Sequence, residues 1–129
     1  MRIVDGGMGL SLEIPQDFQT SRMGDALRVF SPQRERTRSP TNIMITTTAT
    51  QPALAGGRAK RIKERTIHYL VRDEPGGSGG EAVRLLAWVE SNGRFIMFDS
   101  VVQPEEGGDR DFRAEWAMLP TAHWQQPSK

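Results

Sequence analysis

The sequence predicts an α+β fold: a single antiparallel β-sheet of about six strands that ends in a C-terminal meander, with one or two flanking helices. Short segments of alternating apolar and polar residues recur along the chain, which is typical of half-buried strands. Asn92-Gly93 separates two such segments and favours a hairpin with a type I′ turn. A segment with helical spacing follows the last strand and should pack on the sheet.

The predicted strands fall into two groups of three, and the second group should form the meander of consecutive neighbours. They are Leu10–Ile14, Ala26–Phe30, Asn42–Thr48, Thr66–Arg72, Ala82–Glu90 and Phe95–Val102. Apolar residues occur on both faces of Ala82–Glu90, so this strand is predicted to be central and covered on both sides.

The remaining segments predict connections and helices. Phe18–Met23 is expected to be a connection, and Gln51–Arg65 to contain a short helix. Asp109 is predicted to cap a helix from Arg110 to Met118, which ends before Pro120. Without a repeat or a second core, residues 1–129 are expected to form a single domain.

Composition excludes several classes of function. The 17 basic and 16 acidic side chains leave a net charge of +1, so no overall field favours nucleic acid or a membrane surface. The chain has no cysteine, which excludes disulfides, thiolate metal sites and cysteine nucleophiles. It contains no apolar run of about 18 residues, so no membrane span is expected. A precursor whose leader had been removed would look the same.

Catalytic and metal-binding motifs are missing as well. The two histidines, His68 and His123, cannot form a zinc site without further ligands. Ser78 lies in a glycine-rich segment that lacks the strand-turn-helix pattern of a nucleophile elbow. The paired carboxylates stand beside glycine or proline and should be solvated, whereas a general acid needs burial or a close like charge. We therefore expect no metal, no cofactor, no catalytic residue and no enzymatic activity.

The densest run of charge comprises Arg58, Lys60, Arg61, Lys63 and Arg65. Such a run can contact phosphates, but aromatic residues do not interleave it and the chain as a whole is nearly neutral. A solvated basic face is the favoured interpretation. The same side chains would also suit an acidic protein partner.

Three segments carry a family resemblance: GLSLEIPQDF at 9–18, LRVFSP at 27–32 and NIMIT at 42–46. They resemble the PsbP-like α/β fold over about a third of the chain. Among small proteins of this kind, the chain resembles immunity proteins in its size, its charged loops and its lack of catalytic motifs. These immunity proteins neutralise type VI secretion effectors that attack peptidoglycan, such as muramidases.

The resemblance implies an inhibitor that binds its cognate cell-wall hydrolase and blocks the active-site groove with charged loops. It implies a periplasmic location, with a lipid anchor possible on the full-length precursor. The candidate partner-binding residues are Arg34, Glu35, Arg36, Arg38, Asp73, Glu74, Ser78, Glu105, Glu106 and Asp109. The alternative is a cytoplasmic effector-loading chaperone, or another protein-binding adaptor of PsbP-like fold, which would expose a contiguous apolar patch instead.

Overall fold

The computed structural model describes residues 1–32, 41–75, 81–104 and 109–127. Within these ranges the chain forms ten β-strands, one α-helix and one short 3-10 helix. In chain order they are β1 (Arg2–Gly7), β2 (Leu10–Ile14), β3 (Gln19–Met23), β4 (Ala26–Phe30), β5 (Asn42–Thr48), β6 (Arg58–Ile62), β7 (Arg65–Pro75), β8 (Glu81–Ser91), β9 (Arg94–Val102), α1 (Arg113–Met118), the 3-10 helix (Leu119–Thr121) and β10 (His123–Trp124).

The strands form two antiparallel sheets rather than the single sheet of about six strands that the sequence predicted. The large sheet has seven strands in the order β3-β4-β5-β9-β8-β7-β6, and the small sheet has the order β1-β2-β10. Strands make up 59 % of the structure, so the protein is mostly β with one short α-helix. The predicted number of strands was too low because four strands are short or polar and show little alternation of apolar and polar residues: β1, β3, β6 and β10.

The predicted C-terminal meander is confirmed. β7, β8 and β9 are consecutive neighbours, and β8 and β9 are joined by the predicted Asn-Gly hairpin. Asn92 and Gly93 have φ values of 50° and 82°, the left-handed conformations that a type I′ turn requires. This meander supplies the middle of the large sheet.

Three local predictions were wrong. The expected connection Phe18–Met23 contains β3, which pairs with β4 although all five of its residues are exposed. The expected helix within Gln51–Arg65 is replaced by β6, because pairing with β7 outweighs local propensity. The C-terminal helix begins at Arg113 rather than Arg110, since Phe112 adopts a left-handed φ of 51° directly before it.

One apolar core lies between the two sheets. It combines β2 with the inner face of the large sheet, α1 and the 3-10 helix, and its fully buried members include Leu12, Ile14, Ile43, Ile45, Ile67, Leu85, Ile96, Phe98, Phe112, Met118 and Leu119. Glu115 is also buried here, with 2 % of its surface exposed. The inner face therefore holds the two sheets and the helix together.

The opposite, outer face of the large sheet is covered less completely. Trp88 is buried, because its ring stacks on His68 with centroids 4.0 Å apart and meets the edge of Phe95 at 5.3 Å. Leu86 and Arg84, which lie on the same face of β8, are half-buried. Burial of β8 on both faces is thus confirmed at Ala82 and Trp88 but not along the whole strand.

Candidate functional site

Three connections leave the large sheet at the same end. Phe30 at the end of β4 pairs with Asn42 at the start of β5, Val102 at the end of β9 pairs with Val83, and Pro75 pairs with Glu81. We call the set of connections 31–41, 76–80 and 103–112 the loop end. The five strands that bear it are adjacent, so at about 4.8 Å per strand it spans roughly 19 Å.

All of the sequence-predicted site residues belong to the loop end or to the strand leading into it. Asp73, Glu74 and Asp109 lie within the described residues. The other seven lie outside them: Arg34, Glu35, Arg36, Arg38, Ser78, Glu105 and Glu106. The described strand ends on both sides nevertheless fix the end of the sheet from which each connection starts.

Glu74 belongs to a charge network on the outer face beside the loop end. Its carboxylate accepts a hydrogen bond from Arg72 at 2.9 Å and one from Arg84 at 3.3 Å. Arg84 also forms a bidentate pair with Asp99, at 2.9 and 2.6 Å. This pair with Asp99, assisted by Glu74, raises the pKa of Arg84. Three strands thereby present two arginines and two carboxylates in a fixed arrangement.

The sequence predictions missed Arg72, Arg84 and Asp99. The sequence contained an indication of two of them. Arg84 and Asp99 have opposite charges and lie within two apolar strands that were predicted to be neighbours. Charged side chains within a central strand need partners. Finding the partners required the register, in which Arg84 lies opposite Arg72 on one side and Val101 on the other.

Asp109 has a structural role in the described part of the chain. Its carboxylate oxygens accept hydrogen bonds from the backbone N–H of Asp111 at 3.0 Å and of Arg113 at 3.1 Å. The prediction that Asp109 is the N-cap was wrong, because Phe112 occupies that position and makes no side-chain cap hydrogen bond. Asp109 instead accepts from the N–H of the first helical residue, Arg113, and so helps to fix the point at which the 103–112 connection joins α1.

The base of the 31–41 connection is closed by two hydrogen bonds. The backbone N–H of Ser31 donates to the carbonyl of Thr41 at 2.9 Å, and the N–H of Thr41 donates to the Ser31 hydroxyl at 2.8 Å. Next to this pair, Arg28 donates to the side chain of Asn42 at 2.9 Å. The arginine-rich segment therefore starts and ends at a defined point of the sheet.

A groove of about 570 Å³ opens on the outer face away from the loop end. Its walls include His68, Trp88, Glu64 and Glu90. Arg65 also contributes, but its guanidinium donates to the backbone carbonyls of Pro120, Ala122 and Glu90. Desolvation lowers the pKa of Arg65. Among the described residues that line the groove, no nucleophile, base and orienting residue are joined by hydrogen bonds.

In the part of the chain that the structure describes, no three histidine or carboxylate side chains lie close enough together to hold a metal ion. No described helix is both long and apolar enough to cross a membrane.

The exposed large apolar side chains are spread over several elements. Ile3, Met8 and Met23 belong to β1, the β1–β2 turn and β3, whereas Val71 and Val101 belong to β7 and β9. Val71 pairs with Leu85 of the inner face and Val101 with Arg84 of the outer face. These two valines are thus on opposite faces and do not contribute to one apolar patch.

Comparison with a solved structure supports the fold. A crystal structure from Bacteroides thetaiotaomicron VPI-5482 superposes on 94 % of this chain with a TM-score of 0.69 and 11 % sequence identity. The chain spans about half of that protein, 47 % of its length. Among curated proteins, no sequence matches this chain.

Comparison with protein families is more specific. The model of the type six secretion immunity 3 domain (Tsi3) matches residues 11–123, from β2 through the start of β10. The match includes the whole large sheet, the charge network and the loop end. The chain therefore belongs to the type six secretion immunity 3 domain family.

Proposed function

We propose that this immunity protein binds a cognate peptidoglycan-degrading effector, a muramidase, and blocks its active-site groove with the loop end. The observation that carries the proposal is that three connections, two of them charged and one rich in glycine, leave one end of a single sheet. The inhibitor acts by steric occlusion and needs no catalytic residue of its own.

The loop end suits occlusion because a packed sheet supports it. The strands that bear it contribute many of the fully buried core residues, among them Ile43, Leu85 and Phe98. Loops that start from rigid strands lose less conformational freedom on binding than free segments do. A support about 19 Å wide also allows several loops to contact one groove at the same time.

Charge would provide the specificity of the complex. Arg34, Arg36 and Arg38 on one connection and Glu105 and Glu106 on another give the loop end both signs of charge. A mixed pattern matches a partner of complementary pattern and disfavours others.

The charge network extends this surface onto the outer face. Arg72 is 48 % exposed, while Glu74 holds its guanidinium in place. Because Arg84 and Asp99 fix Glu74 in turn, a partner carboxylate meets an arginine that is already oriented.

The substrate of the effector determines where the inhibitor acts. Peptidoglycan lies in the periplasm, so we place the protein there, with a lipid anchor on the full-length precursor as one means of retaining it. A chaperone that holds the apolar helices of an effector would need a contiguous apolar surface. The opposite orientations of Val71 and Val101 disfavour that alternative.

The proposal is tested by titrating the purified effector with this protein and measuring lysis of purified peptidoglycan. We expect lytic activity to fall in proportion to the inhibitor added and to vanish near equimolar amounts. Replacing Arg34, Arg36 and Arg38 by Glu should weaken the complex at least about tenfold without lowering the melting temperature. The matched Arg→Lys triple variant, which keeps the charge, should retain most of the affinity. Full inhibition by the Glu variant would remove this connection from the interface.

A further inference from the structure

β6 forms one edge of the large sheet. Its sequence RAKRI combines three cations in five residues, and its first four residues are exposed. It pairs with β7 on one side only, from Arg58 opposite Tyr69 to Ile62 opposite Arg65. The other side of β6 carries no partner strand among the described residues.

The hairpin geometry shows which backbone groups of β6 are available. Lys63 and Glu64 have φ values of 49° and 67°, so they form a two-residue type I′ turn closed by the pair Ile62 and Arg65. Closing residues of such a turn hydrogen-bond to each other, and alternate residues then do the same along the ladder. The N–H and C=O groups of Ala59 and Arg61 therefore point away from β7 and out of the sheet.

The cations of β6 stand on both faces of this edge. Arg58 and Lys60 lie on the inner side, where the Lys60 ammonium is 5.1 Å from the centre of the Trp116 ring. Arg61 lies on the outer side, two residues from Ala59. Within the described ranges, no carboxylate forms an ion pair with Arg58, Lys60 or Arg61.

The end of this edge is concave. β7 extends beyond the start of β6, and a cavity of about 280 Å³ lies at the step, lined by Gly56, Arg58, Tyr69, Leu70 and Val71. A segment that pairs with β6 can thus bind the cations of β6 through acidic side chains and place a following apolar side chain in this cavity.

Lysine and arginine on an edge strand protect a sheet from pairing with a second copy, because like charges repel. The same feature selects a partner of opposite charge, since an acidic segment meets cations on both faces and free backbone groups between them. The same positive charges on β6 therefore repel a second copy of β6 and attract an acidic strand.

We propose that β6 is a docking strand for an acidic, extended segment of the partner protein, which adds to the sheet through the backbone groups of Ala59 and Arg61. The acidic side chains of that segment bind Arg58 and Lys60 on one face and Arg61 on the other. The proposal rests on the proposed function only in assigning the segment to the effector. It adds a second contact, separate from the loop end, because β6 pairs with the half of β7 that is remote from it.

The probe is a fluorescein-labelled peptide of alternating Glu and Thr, with a Lys and Thr peptide of equal length as its counterpart. Anisotropy should show that the native chain binds the acidic peptide and not the basic one. Arg61→Glu should weaken this binding at least about tenfold. The matched control is Arg22→Glu, which makes the same change of charge at an exposed arginine on β3, the opposite edge strand, and should keep the affinity within about twofold.

A backbone variant separates strand addition from simple attraction between charges. Ala59→Pro removes an N–H that β7 does not use, and proline is tolerated on edge strands in this orientation. It should weaken peptide binding about tenfold at an unchanged melting temperature. If Arg61→Glu weakens binding and a folded Ala59→Pro does not, the contact is between side chains alone and the docking strand is refuted.

The remaining outcomes also decide the matter. No binding of the acidic peptide, or binding of duplex DNA that Ala59→Pro leaves intact, would overturn the proposal. Effector inhibition that persists without peptide binding would remove the docking strand and leave groove blocking in place. Peptide binding without effector inhibition would support the docking strand and overturn the proposed function.

Discussion

The two faces of the large sheet are stabilised by different interactions. The inner face is largely apolar, and its Ile96 and Phe98 are fully buried. Among the described residues, the buried polar side chains are Ser91, Ser100 and Glu115. The outer face is half-buried and carries the arginine–carboxylate network. The difference shows that the free energy of folding comes mainly from one face, which leaves the other face and the loop end available for recognition.

Removal of a large ring from each face is the strongest test of this difference. Phe98→Ala on the inner face should lower the free energy of unfolding by about 3–5 kcal/mol, because it leaves a cavity in a closed core. Phe95→Ala on the outer face should cost clearly less, since Phe95 is only half-buried and solvent fills the space. Urea unfolding followed by tryptophan fluorescence measures both, and equal losses would contradict the comparison.

Glu115 should make the stability of the inner face depend on pH. Burial raises its pKa from 4.5 to about 7, opposed by hydrogen bonds from its own backbone and from Ser100, while the nearby Asp109 adds to the rise. Its Oε2 has no hydrogen-bond partner among the described residues. The folded state binds the Glu115 proton more tightly than the unfolded chain does. The resulting contribution to the free energy of unfolding is complete below pH 4.5 and is lost as pH rises through about 7.

Between acid and neutral pH, the free energy of unfolding should fall by on the order of 3 kcal/mol. Chemical denaturation at a series of pH values from acid to neutral would measure it. Glu115→Gln cannot ionise and should remove most of the slope. A slope that is the same in both proteins would mean that another group titrates.

The smallest expected effect belongs to the outer face. Asp99→Asn removes the charge that Arg84 binds in bidentate form, and we expect a loss of about 0.5–1 kcal/mol, since both side chains are partly exposed. Salt should reduce this difference. Arg113→Gln, at a side chain 81 % exposed, should leave stability unchanged within error. A loss at Asp99 as large as that at Phe98 would make the network part of the folding core.

Sequence patterns located the buried strands well because one buried face imposes a period of two. Leu10–Ile14, Ala26–Phe30 and Asn42–Thr48 were predicted with the bounds that the structure has. β3 has five exposed residues and therefore no such period. β6 resembled a solvated run of charge, since pairing with β7 rather than its own composition makes it a strand.

The candidate site was predicted only in part for a related reason. Charged and glycine-rich composition identified the loop connections, but the pairing of Glu74 with Arg84 depends on which residues lie opposite each other across β7 and β8. That register is set by the length of the hairpin connection, and composition does not determine it. The PsbP-like resemblance and the roles of the ten candidate residues remain predictions.

The pairing of β5 with β9 has a consequence for how the proposed binding surface forms. It joins β3-β4-β5 to β6-β7-β8-β9, with Ile43 opposite Ser100, across a long separation in sequence. Contacts this distant form slowly, because the intervening chain must first be ordered. The loop end takes one connection from the first group and two from the second. It therefore exists only after the two groups have met, so the surface proposed to bind the effector forms late in folding.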